Sequence, residues 1–440
     1  QIDLAFWIAC SIFVLVLVLI ATRKLHRTLS ALLGASLLFG ISYLGSPLRA
    51  DLFIFNFTDA LHYVDWNVIF LIMGMMIIIA IVGGTGIFRW LAFQAYRLAR
   101  GRIWLLVIIL MGVTSVASAF LDNVTTMLLL TPVTIQIAQA IDINPLALLM
   151  PELMASNVAG ISTLIGTPTN VLIGSYAGLS FSDFLINLTP GVILTLVGLS
   201  IYSLVAYRNE LKPLGGNVSQ RLDDLKQRAQ IAEPDQLKKA GVVGAGMLVL
   251  FVLGEQFQLV PAVTALMGAT ALLIWIRPDV EKMIEAVDWT TLVFFIALFI
   301  VVGSIQEVGL ISLLGAQIAK LVGTNLILTM LTVIWASALF SAVIANIPFT
   351  AAMLPVIGYL SATVPGAESH VLFYCLAVGA ALGGNGTLIG ASANMVTAGI
   401  AEQAGYPITY AYFLKKGVPA LVITLGLATV WLVLRFVLLP

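Results

Sequence analysis

Apolar stretches separated by short polar loops occupy almost the whole chain. Crossing the roughly 30 Å hydrocarbon core of a bilayer takes about 20 helical residues, and ten stretches are long enough to do so. Two further stretches are too long for one span and carry a polar motif at their centre, which predicts a re-entrant helical hairpin in each. The ten crossings are predicted near residues 2–21, 29–46, 66–86, 145–177, 184–207, 239–256, 258–276, 289–306, 371–402 and 413–436.

The polar motifs belong to an internal repeat. Asn123, in Ala-Phe-Leu-Asp-Asn-Val-Thr-Thr, recurs 223 positions later as Asn346, in Ala-Val-Ile-Ala-Asn-Ile-Pro-Phe-Thr. Thr-Leu-Ile-Gly-Thr-Pro-Thr-Asn at residues 163–170 returns as Thr-Leu-Ile-Gly-Ala-Ser-Ala-Asn at residues 387–394. This second pair interrupts two of the crossings, which are therefore predicted to be broken helices. Paired interruptions in the two halves of a membrane chain point to the substrate site of a transporter.

The repeat predicts two halves with the same fold. Because each half has five crossings, an odd number, the second half must be inverted relative to the first. The fold is predicted to be an all-α polytopic membrane protein of two inverted repeats, each with a re-entrant hairpin and a broken helix. The predicted units are a first repeat at 1–207 (hairpin 103–140, broken helix 145–177), a cytoplasmic linker at 208–238, and a second repeat at 239–440 (hairpin 325–361, broken helix 371–402).

Lysine and arginine placement orients this threading. These residues concentrate in three segments, 23–27, 89–102 and 208–239, which the threading puts on one side of the membrane. Cytoplasmic loops carry such an excess. We therefore predict a multi-pass protein of the cell (inner) membrane with both termini outside.

Composition agrees with a membrane protein and excludes several other classes. The chain is 60% hydrophobic and 10% charged, with a mean hydropathy of +1.07. Its net charge is zero and it has no basic block, so no nucleic-acid partner is expected. The two cysteines lack metal-ligand spacing, and no Ser-His pair or His-Glu-x-x-His motif lies in the spans, so we predict neither a metal, a cofactor nor an enzyme.

The polar motifs supply the chemistry of a binding site. Backbone that leaves helical geometry inside a membrane is tolerated only against protein or a wet cavity. Gly166, Pro168 and Gly390 are predicted to break the helices. The alternative, that the amides and hydroxyls only hold helices together, is disfavoured by their occurrence in symmetric pairs. The predicted substrate-binding residues are Asn123, Thr126, Thr167, Thr169, Asn170, Asn346, Thr350, Ser392 and Asn394.

Two carboxylates lie in apolar context near the motifs. Ionisable groups inside membranes are costly and mark ion or proton pathways. Asp122 is the preferred proton-coupling residue because it adjoins the hairpin motif, although it could instead cap the hairpin. Glu152 is the second candidate, with a helix-start role as its alternative. Asn157 and Asn385 are weaker site candidates, for which a packing role is as well supported.

Together these motifs resemble the ArsB/NhaD permeases of the ion transporter superfamily, most closely the arsenite/antimonite efflux permeases. The resemblance extends over essentially the whole chain. It implies secondary transport driven by an ion gradient, and it allows an ATPase subunit at the cytoplasmic face. Relatives of this kind exchange arsenite or antimonite for protons, exchange sodium for protons, or, more distantly, carry dicarboxylates.

The residue types near the motifs favour some of these substrates over others. A dicarboxylate or other anion site would be expected to have an Arg or Lys near the motifs, or repeated Ser-Asn-Thr tips, and this chain is predicted to have neither. A sodium site favours carboxylate cages, whereas the second repeat has Ala345 where the first has Asp122. A neutral site of amides and hydroxyls suits a trivalent metalloid hydroxide. The sequence therefore predicts export of arsenite or antimonite in exchange for protons, with a sodium/proton antiporter of the NhaD type as the alternative.

Overall fold

The computed structural model describes residues 3–22, 24–211, 230–310, 325–344 and 346–438, together with residues 313 and 317. All regular secondary structure in these residues is helical. Most of the predicted linker, residues 212–229, lies outside the described residues. The proposed division of the chain at residues 207 and 239 stays a prediction.

The two halves have matching series of helices. The first half contains α1 (Leu4–Thr22), α2 (Arg27–Gly40), α3 (Phe57–His62), α4 (Trp66–Gly84), α5 (Ile87–Ala99), α6 (Ile103–Phe120), α7 (Asn123–Ala140), α8 (Leu146–Ala159), α9 (Pro168–Ala177) and α10 (Phe181–Ala206). The second half contains α11 (Pro234–Leu253), α12 (Pro261–Ile276), α13 (Val280–Glu285), α14 (Trp289–Glu307), α15 (Leu326–Val343), α16 (Asn346–Thr363), α17 (Val371–Gly383), α18 (Ser392–Gln403) and α19 (Tyr410–Val433).

The number of membrane crossings follows from these lengths. Among the described residues, nine helices of 18 or more residues are apolar enough to span a bilayer. Two of them, α6 and α15, are first arms of hairpins, which leaves seven crossings. The 16-residue α12 and the two broken helices, α8–α9 and α17–α18, bring the number to the predicted ten. The predicted fold of two inverted repeats with re-entrant hairpins and broken helices is confirmed.

Each hairpin is attached to the broken helix of its own repeat at the point where that helix is interrupted. In the first repeat the Thr163 hydroxyl donates to the carbonyl of Ala119, and in the second the Thr387 hydroxyl donates to the carbonyl of Ala342. The break of a crossing helix lies within the membrane, so these bonds hold both hairpin tips there. The hairpins therefore turn back inside the membrane, as the sequence predicted.

Packing divides the helices into two groups. In the first group, which we call the scaffold, α2 packs against α14 and α4 against α12, with α1 and α11 beside them. The second group, which we call the core, contains the hairpins, the broken helices, α10 and α19. Within the core each hairpin's second arm crosses to the other repeat, α7 against α18 and α16 against α9. The repeats are thus interlocked through the parts that carry the polar motifs.

Helix α5 was not predicted. Its buried side is made by Phe88, Ala92 and Ala95, whereas Arg89 and Arg97 are exposed, and it packs on both arms of the first hairpin. An amphipathic helix with basic residues on its polar side suits the membrane surface. This agrees with the basic segment that the sequence put on the cytoplasmic side.

Candidate functional site

Four asparagines from both repeats form one hydrogen-bonded group, which we call the amide cluster. Asn123 Nδ2 donates to Asn157 Oδ1 at 2.8 Å, and Asn157 Nδ2 donates to Asn385 Oδ1 at 2.9 Å and Asn394 Oδ1 at 3.2 Å. Each side chain is at most 6% exposed. Asn157 is therefore the central member, although sequence reasoning ranked it and Asn385 below the motif residues. The sequence did contain a signal for the role of Asn157, since it is an amide in a largely apolar helix and such groups must find hydrogen-bond partners inside the membrane.

Asn170 and Asn394 have the same structural task in their two repeats. Asn170 Nδ2 donates to the carbonyls of Gly160 at 3.0 Å, Ile161 at 3.2 Å and Thr163 at 2.7 Å, all in the break between α8 and α9. Asn394 Nδ2 donates to the carbonyls of Gly384 at 2.7 Å and Thr387 at 2.9 Å. Buried carbonyls that leave a helix need such donors. Both amides therefore stabilise the breaks, and the binding role that the sequence predicted for them stays a prediction.

Other predicted site residues also hydrogen-bond within the break of the first repeat. Thr167 Oγ1 caps α9 by accepting from the backbone N–H of Asn170 at 3.2 Å, and it shares a 2.8 Å hydrogen bond with Thr169 Oγ1. Pro168 follows at the first helical position, where its missing N–H costs little. Thr167 and Thr169 are buried and Pro168 is half-buried. Their binding role stays a prediction.

Some polar groups of the hairpins and of the first broken helix have unused hydrogen-bonding capacity. Thr126 lies three residues after Asn123 and Thr350 four residues after Asn346. Both are fully buried, and their hydroxyls have no hydrogen-bond partner among the described residues. The Oδ1 atom of Asn170 is likewise buried and without a described partner. Asn346, at the tip of the second hairpin, is 7% exposed. Asn346 is not part of the amide cluster formed by its counterpart Asn123.

Glycine is required where the first break folds back on itself. A Cβ atom on Gly166 would lie 2.5 Å from the carbonyl oxygen of Gly160 and 3.0 Å from that of Ser118. Both obstacles are backbone, so no side-chain rotation relieves them. Gly390 is also crowded, since its Cβ would lie 3.1 Å from the carbonyl oxygen of Gly383. The predicted helix-breaking glycines thus allow close backbone contact.

Gly166→Ala is expected to lower the thermal stability of the purified protein, because overpacking of this kind typically costs about 1 to 3 kcal/mol. Gly112→Ala is the matched control, because a Cβ there meets nothing within 4 Å. Melting of the two variants in detergent, followed by intrinsic fluorescence, measures the difference. Equal melting temperatures for both would mean that the break relaxes freely around an added methyl group.

Asp122 caps the second arm of the first hairpin. Its Oδ1 accepts from the backbone N–H groups of Val124 at 2.9 Å and Thr125 at 3.0 Å, and its Oδ2 accepts from the Thr125 hydroxyl. Both carboxylate oxygens are therefore engaged at a helix N-terminus. An aspartate directly before a helix start is a common cap, so the sequence contained a signal for this role. The geometry gives Asp122 the hairpin-capping task that was its alternative.

Glu152 is buried between three helices of the core. It is 1% exposed, and its carboxyl accepts from Thr134 Oγ1 at 3.0 and 3.1 Å and from Thr114 Oγ1 at 3.4 Å. These partners come from α7 and α6, and neither helix carries a titratable side chain. Glu152 is on the same helix as Asn157, the centre of the amide cluster. The structure therefore puts a buried carboxyl without a described cation close to the predicted binding residues.

Sequence reasoning used Arg27 only as part of a basic loop and did not predict it as a site residue. It begins α2 in the scaffold, and its Nη1 donates to Ser392 Oγ at 3.2 Å while its Nη2 donates to Thr291 Oγ1 at 2.8 Å. The Thr291 hydroxyl in turn donates to Asp288, which caps α14. The expectation that no cation lies near the motifs is therefore wrong in three dimensions, since Ser392 opens the second half of a broken helix.

Similarity to known proteins shows which family the chain belongs to. The model of the CitMHS family, described as citrate transporter, matches residues 17–379. This chain belongs to the CitMHS family. An uncharacterized transporter of Mycobacterium tuberculosis, Rv2684, is 36% identical over 98% of both chains. The human P protein is 33% identical over 98% of this chain and 60% of its own length.

Solved structures agree with the fold of a CitMHS transporter. The Alcanivorax borkumensis YdaH transporter superposes with a TM-score of 0.66, covering 93% of this chain and 98% of its own, at 14% identity. Neisseria gonorrhoeae MtrF gives a TM-score of 0.59 at 15% identity, covering 84% of this chain and 81% of its own. At such identities the likeness shows the fold alone. The family identifies a membrane transporter, a broader class than the arsenite permeases that the motifs resembled.

Proposed function

We propose that this CitMHS-family chain is a secondary transporter that exports a small, oxygen-bearing solute in exchange for protons. The single observation that carries the proposal is that one helix, α8, contains two groups of the candidate site. These are Glu152, a buried carboxyl with no cation partner among the described residues, and Asn157, the central member of the buried amide cluster. The amide cluster and the unpartnered hydroxyls of Thr126 and Thr350 are proposed to bind the solute. Glu152 is proposed to bind the proton.

The choice of Glu152 over Asp122 rests on what each carboxyl does in the fold. Asp122 accepts from two backbone N–H groups, which cannot accept in return, as well as from a hydroxyl, and these bonds cap the second arm of the hairpin. Among the described residues, Glu152 accepts from threonine hydroxyls alone, which can reorient and accept a hydrogen bond from the protonated acid. A group that gains and loses a proton needs partners that tolerate both states.

Arsenite or antimonite, as the neutral trivalent hydroxide, is the first candidate substrate. The amide cluster carries no formal charge, and its amides offer both donors and acceptors to the hydroxyl groups of such a solute. A neutral solute of this kind can be exchanged for a proton without carrying a charge of its own. Exchange for protons that enter the cell makes the transport an efflux. The predicted orientation, with both termini outside the inner membrane, is part of this proposal.

A carboxylate anion such as citrate is the second candidate. Two observations favour it: the matching family model is named for citrate transport, and Arg27 donates to Ser392 at the start of α18. A guanidinium is well suited to carboxylates. Against this, Asp288 is linked to Arg27 through Thr291 and offsets part of its charge. Sodium/proton exchange is the third alternative.

Transport in proteoliposomes of the purified protein, with an imposed pH gradient, distinguishes these candidates. We expect radiolabelled arsenite to accumulate against its gradient only when the pH gradient is present, and citrate and sodium to remain equilibrated. Accumulation of citrate alone would mean that the substrate is a carboxylate anion and not a metalloid hydroxide. Accumulation of arsenite from purified chain without ATP would also show that no ATPase subunit is required. Equilibration of all three solutes, with or without the gradient, would contradict proton-coupled transport of these classes.

A further inference from the structure

Arg27 joins the scaffold to the core at the edge of the candidate site. On the scaffold side its guanidinium donates to Thr291 and lies 5.4 Å from the ring centre of Phe294. The neighbouring Thr28 hydroxyl donates to the carbonyl of Thr290 at 2.9 Å, which fixes α2 to α14. On the core side Arg27 donates to Ser392, two residues before Asn394 of the amide cluster. One side chain thus connects the rigid scaffold pair to the broken helix.

The charged partner of Arg27 is held on the scaffold. Although partial burial alone would raise the pKa of the Asp288 carboxyl, hydrogen bonds from Thr290 and Thr291 and the charge of Arg27 hold it below its usual range. Asp288 therefore stays ionised near neutral pH and keeps Arg27 attached to α14. Both hydrogen bonds of Arg27 end at neutral hydroxyls, but the bond to Ser392 is longer, at 3.2 Å against 2.8 Å for Thr291, and only the scaffold side adds the attraction of Asp288. If the groups separate, Arg27 is expected to stay with the scaffold.

The equivalent interface of the first repeat is built differently. The residues equivalent to Thr291 and Ser392 are Val68 and Pro168, whose side chains cannot form such a bridge. A cavity of about 270 Å³ lies there between α4 and α9, lined by Val68, Leu71 and Val171 among others. The scaffold–core boundary is therefore bridged at one end and open at its symmetry-related end.

Such asymmetry between inverted repeats is what one state of a transporter requires, because the site must be reachable from each side in turn as one bundle moves against the other. We propose that the Arg27–Ser392 contact is a gate that forms in this state and breaks in each transport cycle. Arg27 is then a positioning residue, which acts on the site through α18 and does not need to touch the solute.

Cross-linking tests whether the contact must break. In a background with Cys10→Ser and Cys375→Ala, the pair Thr291→Cys and Ser392→Cys spans the interface on either side of Arg27, which is retained. The control pair, Thr28→Cys and Thr290→Cys, lies within the scaffold. Each pair is compared with itself before and after a short, cleavable bis-thiol reagent, because Ser392 is a predicted binding residue and its replacement by itself lowers transport. The reagent is expected to stop the remaining transport of arsenite or citrate by the first pair, with recovery on cleavage, and to leave the control pair as active as before. Unchanged transport by the cross-linked first pair would overturn the gate.

Labelling tests the gate without any substrate, so it decides the inference even if the proposed substrates are wrong. Ser175 lines the 270 Å³ cavity and a second one of about 530 Å³ between α9, α14 and α16. In a Ser175→Cys protein, Arg27→Gln is expected to slow labelling by an impermeant thiol reagent roughly two- to tenfold, because the population shifts away from this state. Arg27→Lys should lie between. An unchanged labelling rate in Arg27→Gln would mean that the contact does not bias the two states.

Discussion

Glu152→Gln is expected to abolish the accumulation of solute driven by a pH gradient while leaving downhill movement of the solute in place. Glutamine has the size of the protonated acid and can still hydrogen-bond to the hydroxyls of Thr114 and Thr134, but it cannot release a proton. Glu152 is 1% exposed, and neither of the helices that donate to it carries a titratable side chain that could take over the proton. The measurement is arsenite uptake into proteoliposomes with and without the gradient, which should become equal.

Two variants make this result specific. Glu152→Asp keeps a titratable group and should retain part of the gradient-driven uptake. Asp122→Asn keeps an oxygen that can accept from the N–H groups of Val124 and Thr125, so coupling should persist with modest loss of stability. If Asp122→Asn loses the response to the gradient and Glu152→Gln retains it, the coupling role belongs to Asp122, as the sequence first indicated.

Asn157→Ala is expected to cause the largest loss of both solute affinity and stability among the amide variants. It leaves Asn123 Nδ2, Asn385 Oδ1 and Asn394 Oδ1 without the partner they have in the cluster. A buried polar group left unsatisfied costs about 1 to 3 kcal/mol, and each 1.4 kcal/mol is about tenfold in affinity. We expect solute binding by the purified protein to weaken by about ten- to a hundredfold and its melting temperature to fall.

Asn144→Ala is the control of the same residue type close to the same helix. Asn144 Oδ1 accepts from the backbone N–H of Leu146 at 3.0 Å before α8 begins, away from the cluster. Its loss should cost about 1 kcal/mol of stability and leave affinity unchanged. If Asn157→Ala binds arsenite and citrate as the parent does, the amide cluster only joins helices and the solute binds elsewhere.

The fold was predictable because its signals are local. The hairpin predicted at 103–140 is the pair Ile103–Phe120 and Asn123–Ala140, and the broken helix predicted at 371–402 is Val371–Gly383 and Ser392–Gln403. Apolar length sets where a chain can cross a bilayer, and Gly, Pro and Asn end helices through their own backbone and side-chain chemistry. Repetition of the same signals in both halves then determined the inversion, since five crossings reverse the direction of the chain.

The roles of individual polar side chains were decided only by packing. Arg27 and Ser392 are 365 positions apart, and nothing near either residue in the sequence indicates that a scaffold helix delivers a guanidinium to the broken helix. Asp122 and Glu152 are both carboxylates in apolar sequence, yet one caps a hairpin and the other lies between two threonine hydroxyls. Sequence alone determined which segments cross the membrane and where they break; tertiary structure decided which groups meet at the breaks, because hydrogen bonds between distant segments depend on how helices pack.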